Sequence, residues 1–150
     1  MVAFLAYTGA RISEARGCAG KHVEPKHVVF YGKGRGGVPK MRRVPINAPL
    51  KALLDDLKTN PRHYRGDREG SVLAVGEVDK ALKAACAKLN LPKYHHHNFR
   101  DYFATRAIES GTDLFTLQQW LGHRKTDLII STYGHLTDQH SLEQAAKLTF

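Results

Sequence analysis

Arg11, Lys33, His97, Arg100, His123 and Tyr133 are the residues whose types suit chemistry on a phosphate diester. Such a diester needs cations for its two non-bridging oxygens, a nucleophile in line with the leaving oxygen, and a proton for the departing alkoxide. Positioning and electrostatics supply most of the rate. Arginine suits the first task because its planar fork stays charged and can grip oxygens in pairs, and Arg11 and Arg100 are the candidates. Arg100 follows His97 by three residues, so on a helix the two share a face and can reach one ligand together. Tyr133 offers a phenol oxygen as nucleophile. With an ordinary pKa of about 10 it needs a base or flanking cations at neutral pH, and His123, one short helix earlier, can give that help. Lys33, in Gly32-Lys33-Gly34, remains an ammonium at neutral pH on a flexible stem and is the candidate general acid for the leaving oxygen. Arg35, Lys40 and Arg42 in the same hairpin are expected to contact DNA.

Each signal is ordinary by itself. His-x-x-Arg is common as a surface pair, Arg11 with Glu14 reads equally as an ion pair on a helix surface, and a tyrosine on an apolar helix face is usually core. The weight lies in the set, and the set needs elements to bring it together.

The apolar residues Leu5, Ile12 and Ala15 predict a helical stripe from Val2 to about Gly17, interrupted at Thr8-Gly9, where backbone can approach something closely. His27 to Tyr31 is β-branched and aromatic, a glycine-rich stretch follows, and Met41 to Ile46 resumes an extended pattern, which together predict a β-hairpin with a basic tip. Asn47 or Ala48-Pro49 opens a helix with Leu50, Leu53, Leu54 and Leu57 as its buried face. The segment 60–70 reads as polar loop. A second helix spans Val78 to Leu89, with Val78, Leu82, Ala85, Cys86 and Leu89 inward, and ends before Pro92. Short helices follow over Asn98 to Ser110, Asp113 to Leu121, Thr126 to Tyr133 and Thr137 to Leu148, with Gly111, Gly122 and Gly134 near their ends. The expected class is mainly α with a small antiparallel β-sheet (α+β), and a length of 150 residues favours a single domain over residues 1–150.

A net charge of +9 with 42% hydrophobic residues places the excess charge on a folded body, and a polyanion is the natural partner. Cys18 and Cys86 lack the paired spacing of a zinc site and the density of a disulfide scaffold, so a reducing, cytoplasmic setting is expected and neither is a candidate nucleophile. The apolar opening Met1 to Tyr7 is too brief for a membrane span and has no basic flank before it, as a signal peptide would.

Four separated stretches together resemble the catalytic domain of the tyrosine recombinases, the phage-integrase family of site-specific DNA recombinases. Thr8-Gly9-Ala10-Arg11-Ile12-Ser13-Glu14 is similar to the family's first arginine motif. Gly32-Lys33-Gly34 with Arg43-Val44-Pro45-Ile46 resembles its lysine hairpin, His97 to Thr105 its His-x-x-Arg motif, and Leu121-Gly122-His123 through Tyr133 its closing histidine and nucleophile. The resemblance implies that Arg11, Lys33, His97, Arg100, His123 and Tyr133 form the active site. It implies too that Tyr133 joins covalently to a 3′ phosphate and releases a 5′ hydroxyl, with neither ATP, cofactor nor metal. It further implies double-stranded DNA as substrate, a homo-oligomer (a tetramer in a synaptic complex), no membrane, and a prokaryotic, viral or mobile-element origin. By the same comparison the chain begins within the first arginine helix, truncated at its N-terminus and lacking a core-binding domain, as the C-terminal part of a longer recombinase would. Leu136 to Phe150 resembles the tail that family members pack on a neighbouring protomer, and it suits folding back on its own core equally well.

Other readings stay open at this stage. A module of this fold that binds DNA without cutting it would have the same charge, and a type IB topoisomerase-like enzyme would use the same residue types to relax supercoils. Metal binding by His95-His96-His97 is a weaker alternative, because consecutive residues do not face one ligand sphere.

Overall fold

In the computed structural model, the residues described are 1–32, 34, 36, 38–59, 70–73 and 78–122. The expected opening helix is two helices. α1 (Val2–Thr8) ends where Gly9 turns left-handed, at φ 59° and ψ 21°, its N–H donating back to the Leu5 carbonyl. Gly9 is needed there twice over, because a Cβ would also lie 2.6 Å from Phe103 Cδ1. The close backbone approach expected at Thr8-Gly9 is thus to the helix that carries Arg100. α2 (Ile12–Arg16) then starts with Arg11 as its N-cap.

A single 3-10 turn at Gly20–His22 leads to the hairpin, β1 (His27–Gly32) paired antiparallel with β2 (Lys40–Pro45). Val28 faces Val44 and Phe30 faces Arg42 across the ladder, and all four are buried, so one side of this small sheet closes the core. α3 (Ala48–Thr59) begins after Asn47, whose Oδ1 accepts from the Leu50 N–H at 2.9 Å. It buries Leu50, Leu54 and Leu57, with Leu53 packed at the margin.

α4 (Asp79–Lys88) departs from expectation in its packing. Val78 and Cys86 are buried, but Ala85 is exposed, Leu82 is half-buried and Leu89 is 64% exposed, so the expected five-residue apolar face is largely open. α5 (His96–Glu109) starts two residues earlier than its sequence pattern predicts, with Asn98 Oδ1 accepting from the His95 N–H at 2.8 Å. α6 (Leu114–Leu121) is capped by Asp113, whose Oδ1 accepts from the Thr116 N–H at 2.9 Å, and it ends at left-handed Gly122. The helices expected over Thr126 to Tyr133 and Thr137 to Leu148 lie outside the described residues.

The core joins these pieces through Phe4 and Leu5 of α1, Phe30 of β1, Leu50 of α3, Phe103 and Ala104 of α5, and Leu117 and Leu121 of α6. Phe4 and Phe30 meet edge to face, ring centroids 6.1 Å apart. The class is mainly α with a small two-stranded antiparallel sheet. Among the described residues no helix is long and apolar enough to cross a membrane.

Candidate active site

Arg100 is the residue through which the separated motifs meet. Its side chain comes off the first turns of α5 and is 3% exposed. Nη1 donates to the Gly9 carbonyl at 2.6 Å and Nη2 to the Leu121 carbonyl at 2.5 Å. The first acceptor lies two residues before Arg11 and the second two residues before His123. Both are carbonyls at helix ends, where the chain has run out of its own N–H donors and where a cation is favoured by the helix dipole. One buried guanidinium therefore clamps the exit of α1, the start of α5 and the exit of α6.

Arg11 is placed differently. As N-cap of α2 it stands at the surface, its side chain 43% exposed, and its Nη1 donates to Glu14 Oε1 at 3.2 Å. The Arg11 backbone N–H also donates to Glu14 Oε2 at 2.8 Å. The ion pair that is the ordinary reading of Arg11 with Glu14 is present, but Glu14 itself is buried, so the pair bridges surface and interior. His97 is exposed one helical turn before the buried Arg100, so the two residues share the N-terminal turns of α5 and differ in accessibility. Lys33, Arg35, His123 and Tyr133 lie outside the described residues.

Lys40 is exposed on β2. It borders a cleft of about 330 Å³ that Arg43, Gln118, Gln119 and Gly122 also line, between the hairpin and the end of α6. The expectation that Arg42 contacts DNA needs correction. Arg42 is 6% exposed, with its Nε 3.4 Å from Glu14 Oε1 and its Nη2 2.7 Å from Glu14 Oε2. Nη1 donates to the Trp120 carbonyl, and the guanidinium lies 4.6 Å from the Phe30 ring centroid. It points inward because strand residues alternate, and Val44 already marks that face of β2 as the buried one.

Sequence reasoning missed Glu14 and Arg42 as a pair, and two signals could have found them. Glu14 lies one turn after Arg11, and Arg42 lies two residues before buried Val44. Burial pushes the Glu14 carboxyl upward, but the hydrogen bond and charge of Arg42, assisted by Arg11, outweigh it and hold the group below its ordinary value. Burial pulls the Arg42 guanidinium down with Glu14 opposing, and arginine starts high enough to stay charged.

The cysteines have no part in this site. Both are free and buried, and burial pushes the Cys18 thiol up to about 12, far from a reactive thiolate. His96 Nδ1 meets Asp79 Oδ1 at 3.2 Å, which links α4 to α5, and among the described residues no cluster of three metal-ligating side chains occurs. A larger cleft of about 410 Å³, between α1, the end of β2 and α5, is lined by Tyr7, Pro45, Tyr102, Phe103 and Trp120 and, among the described residues, by none of the expected site residues.

The sequence and the fold are both similar to those of known proteins. The chain belongs to the phage integrase family, whose model matches residues 1–140. A tyrosine recombinase of Thermosipho africanus is 30% identical over 154 aligned positions, covering 98% of this chain and 52% of its own length. XerD of Chlorobaculum tepidum is 32% identical, covering 91% of this chain and 47% of its own. Among solved structures, the catalytic domain of bacteriophage HP1 integrase matches with a TM-score of 0.71 and 26% identity, over 99% of this chain and 79% of that one. The Tn1549 transposon integrase in complex with circular intermediate DNA has the same fold, at a TM-score of 0.71 and 20% identity, over 99% of this chain and 58% of that one. The chain spans about half the length of the curated relatives it matches.

Proposed function

We propose that this chain is the catalytic part of a site-specific DNA recombinase that cuts and rejoins double-stranded DNA through a covalent phosphotyrosine. The observation that carries the reading is the Arg100 clamp, because it unites three of the motif segments around one cation. Arg11 supplies the accessible charge for a non-bridging oxygen, and Arg100 supplies a second positive centre behind it. Tyr133 Oη attacks the phosphorus, the phenol proton passes to His123 as the oxygen–phosphorus bond forms, and His97 helps to balance the charge on the phosphate. The bond from phosphorus to the 5′ oxygen breaks, and Lys33 delivers a proton to that oxygen. The products are a 3′ phosphotyrosine and a 5′ hydroxyl, and a 5′ hydroxyl from another strand reverses the step. The bond energy is conserved in the phosphotyrosine, so the cycle needs neither ATP nor metal. Lys40 and Arg35 contact the duplex, and copies of the chain act together on DNA as an oligomer, a tetramer in the synaptic complex.

The test is covalent capture. The chain is incubated with a randomised library of nicked suicide duplexes, and conjugates that survive denaturant are collected. A conjugate through Tyr133, abolished by Tyr133→Phe, is expected. Salt-sensitive binding with no conjugate from any duplex would leave a non-cleaving module. Relaxation of plasmid without site preference would indicate topoisomerase-like activity instead.

A further inference from the structure

The ion pair between Glu14 and Arg42 is buried beneath the exposed Arg11, and its geometry says what Arg42 does there. Glu14 receives its shortest side-chain contact from Arg42 Nη2, at 2.7 Å, and the contact from Arg11 Nη1 is longer, at 3.2 Å. Arg42 is thus the main countercharge of a buried carboxylate. The same guanidinium holds the Trp120 carbonyl near the end of α6, one residue before the carbonyl that Arg100 holds. Its stem also packs where Gly122 turns left-handed, and a Cβ on Gly122 would lie 2.8 Å from Arg42 Cδ. Arg42 thereby joins α2, the hairpin and the exit of α6, which leads straight into His123.

We infer that Arg42 is a positioning residue for the site: by taking up most of the charge of Glu14 and the carbonyl of Trp120, it leaves the Arg11 side chain only the longer contact to Glu14, with its remaining N–H groups for an external anion, and fixes where α6 ends. The inference rests on the proposed function and adds to it a residue that touches no substrate. Without Arg42 the buried carboxylate must either acquire a proton or draw in its remaining cation, and that cation is Arg11. In the second case Arg11 tightens its existing contact with Glu14 and is withdrawn from substrate. A lysine in place of Arg42 keeps the charge but has no fork with which to hold the carboxylate and the Trp120 carbonyl at once.

The experiment compares the wild-type chain with Arg42→Met, Arg42→Lys and the double variant Arg42→Met with Glu14→Gln. Circular dichroism follows folding, single-turnover adduct formation on a captured DNA follows activity, and carbon-13 NMR follows the Glu14 carboxyl. Arg42→Met is expected to slow adduct formation by roughly 10- to 100-fold while DNA affinity changes by roughly threefold or less, since the loss is one of positioning. The Glu14 titration is expected to move upward in that variant, and the added Glu14→Gln is expected to recover part of the rate by releasing Arg11. A merely structural role would also move the Glu14 titration, so the discriminating readouts are a rate lost at unchanged fold and DNA affinity and its partial recovery in the double variant. If Arg42→Met does not fold, Arg42→Lys carries the test, with a slowed rate and a Glu14 titration still below its ordinary value. Wild-type rates in Arg42→Met or Arg42→Lys, an unmoved Glu14 titration in Arg42→Met, or a double variant as slow as the single would each overturn the inference. A wild-type chain that forms no adduct refutes the proposed function, and nitrogen-15 NMR of the Arg11 guanidinium then decides the positioning role, which an Arg11 signal unchanged in Arg42→Met would overturn.

Discussion

Replacing Arg100 with lysine separates two jobs that the side chain combines. In the wild-type chain Nη1 and Nη2 each hold one buried carbonyl, of Gly9 and of Leu121. A lysine ammonium keeps the positive charge but is a single centre on an unforked stem, and it reaches at most one of the two. Arg100→Lys therefore gives up one charge-assisted hydrogen bond and strands one buried acceptor, a loss of about 2–4 kcal/mol. For a chain of 150 residues that corresponds to a fall in Tm of roughly 4–16 °C, at about 2–4 °C per kcal/mol. Arg100→Met strands both carbonyls but also spares the burial of a charge, so its cost is comparable, about 3–5 kcal/mol. Urea unfolding followed by far-ultraviolet circular dichroism measures both, and the midpoint should shift while the slope holds. If Arg100→Lys unfolds within about 0.5 kcal/mol of wild type, the clamp contributes nothing. The idea that one cation gathers the three motif segments would then be wrong, even if DNA cleavage were lost.

Gly9→Ala combines a left-handed backbone with an added Cβ 2.6 Å from Phe103 Cδ1. It should cost about 2–5 kcal/mol by urea unfolding, and a loss below about 1 kcal/mol would mean that the contact relaxes freely. Asp113→Ala removes the cap on the Thr116 N–H and should cost about 1 kcal/mol in the same assay. Because the folded Glu14 carboxyl lies below its ordinary value of 4.5, its contribution to stability is complete above that pH and drains away as the pH falls through the folded value. Acid unfolding of the wild-type chain should therefore be steeper below pH 4.5 than that of Glu14→Gln, and parallel acid profiles would contradict the buried pair.

Much of this organisation was legible in the residues, for physical reasons that can be named. The hairpin was readable because Val28, Val29, Phe30 and Val44 are good pleated-surface residues bracketing a glycine-rich stretch; β1 starts at His27 as the pattern predicts and runs one residue further, and β2 is displaced one residue toward the N-terminus. α3 was readable because Leu50, Leu54 and Leu57 recur at helical spacing behind a capping Asn47. The face of α4 was less legible. Alanine is a strong helix former whether or not it is buried, so Ala81, Ala84, Ala85 and Ala87 announce a helix without saying which side packs. The motif arginines were visible as cations, but a count of cations does not say which ones face water.

That difference decides how the site is built. Three arginines converge on the same region with three different settings, set by the element that carries each. Arg11 sits at a helix start, where its own N–H is already satisfied by Glu14 and its side chain is left at the surface. Arg42 sits on the inward face of a strand, where only a carboxylate, a carbonyl and an aromatic face could make burial of its charge tolerable, and all three are present. Arg100 sits on a helix packed against two other helix ends, and it meets carbonyls that those ends leave without internal donors. A basic chain can spend some of its positive charge on its own interior only because those acceptors are supplied, and the charge it does not spend there is what remains to be offered to a polyanion. Moving any one of the three cations between interior and surface is expected to change the fold and the candidate site together, which is why substitutions in this region have to be read in stability alongside any test of the proposed phosphate chemistry.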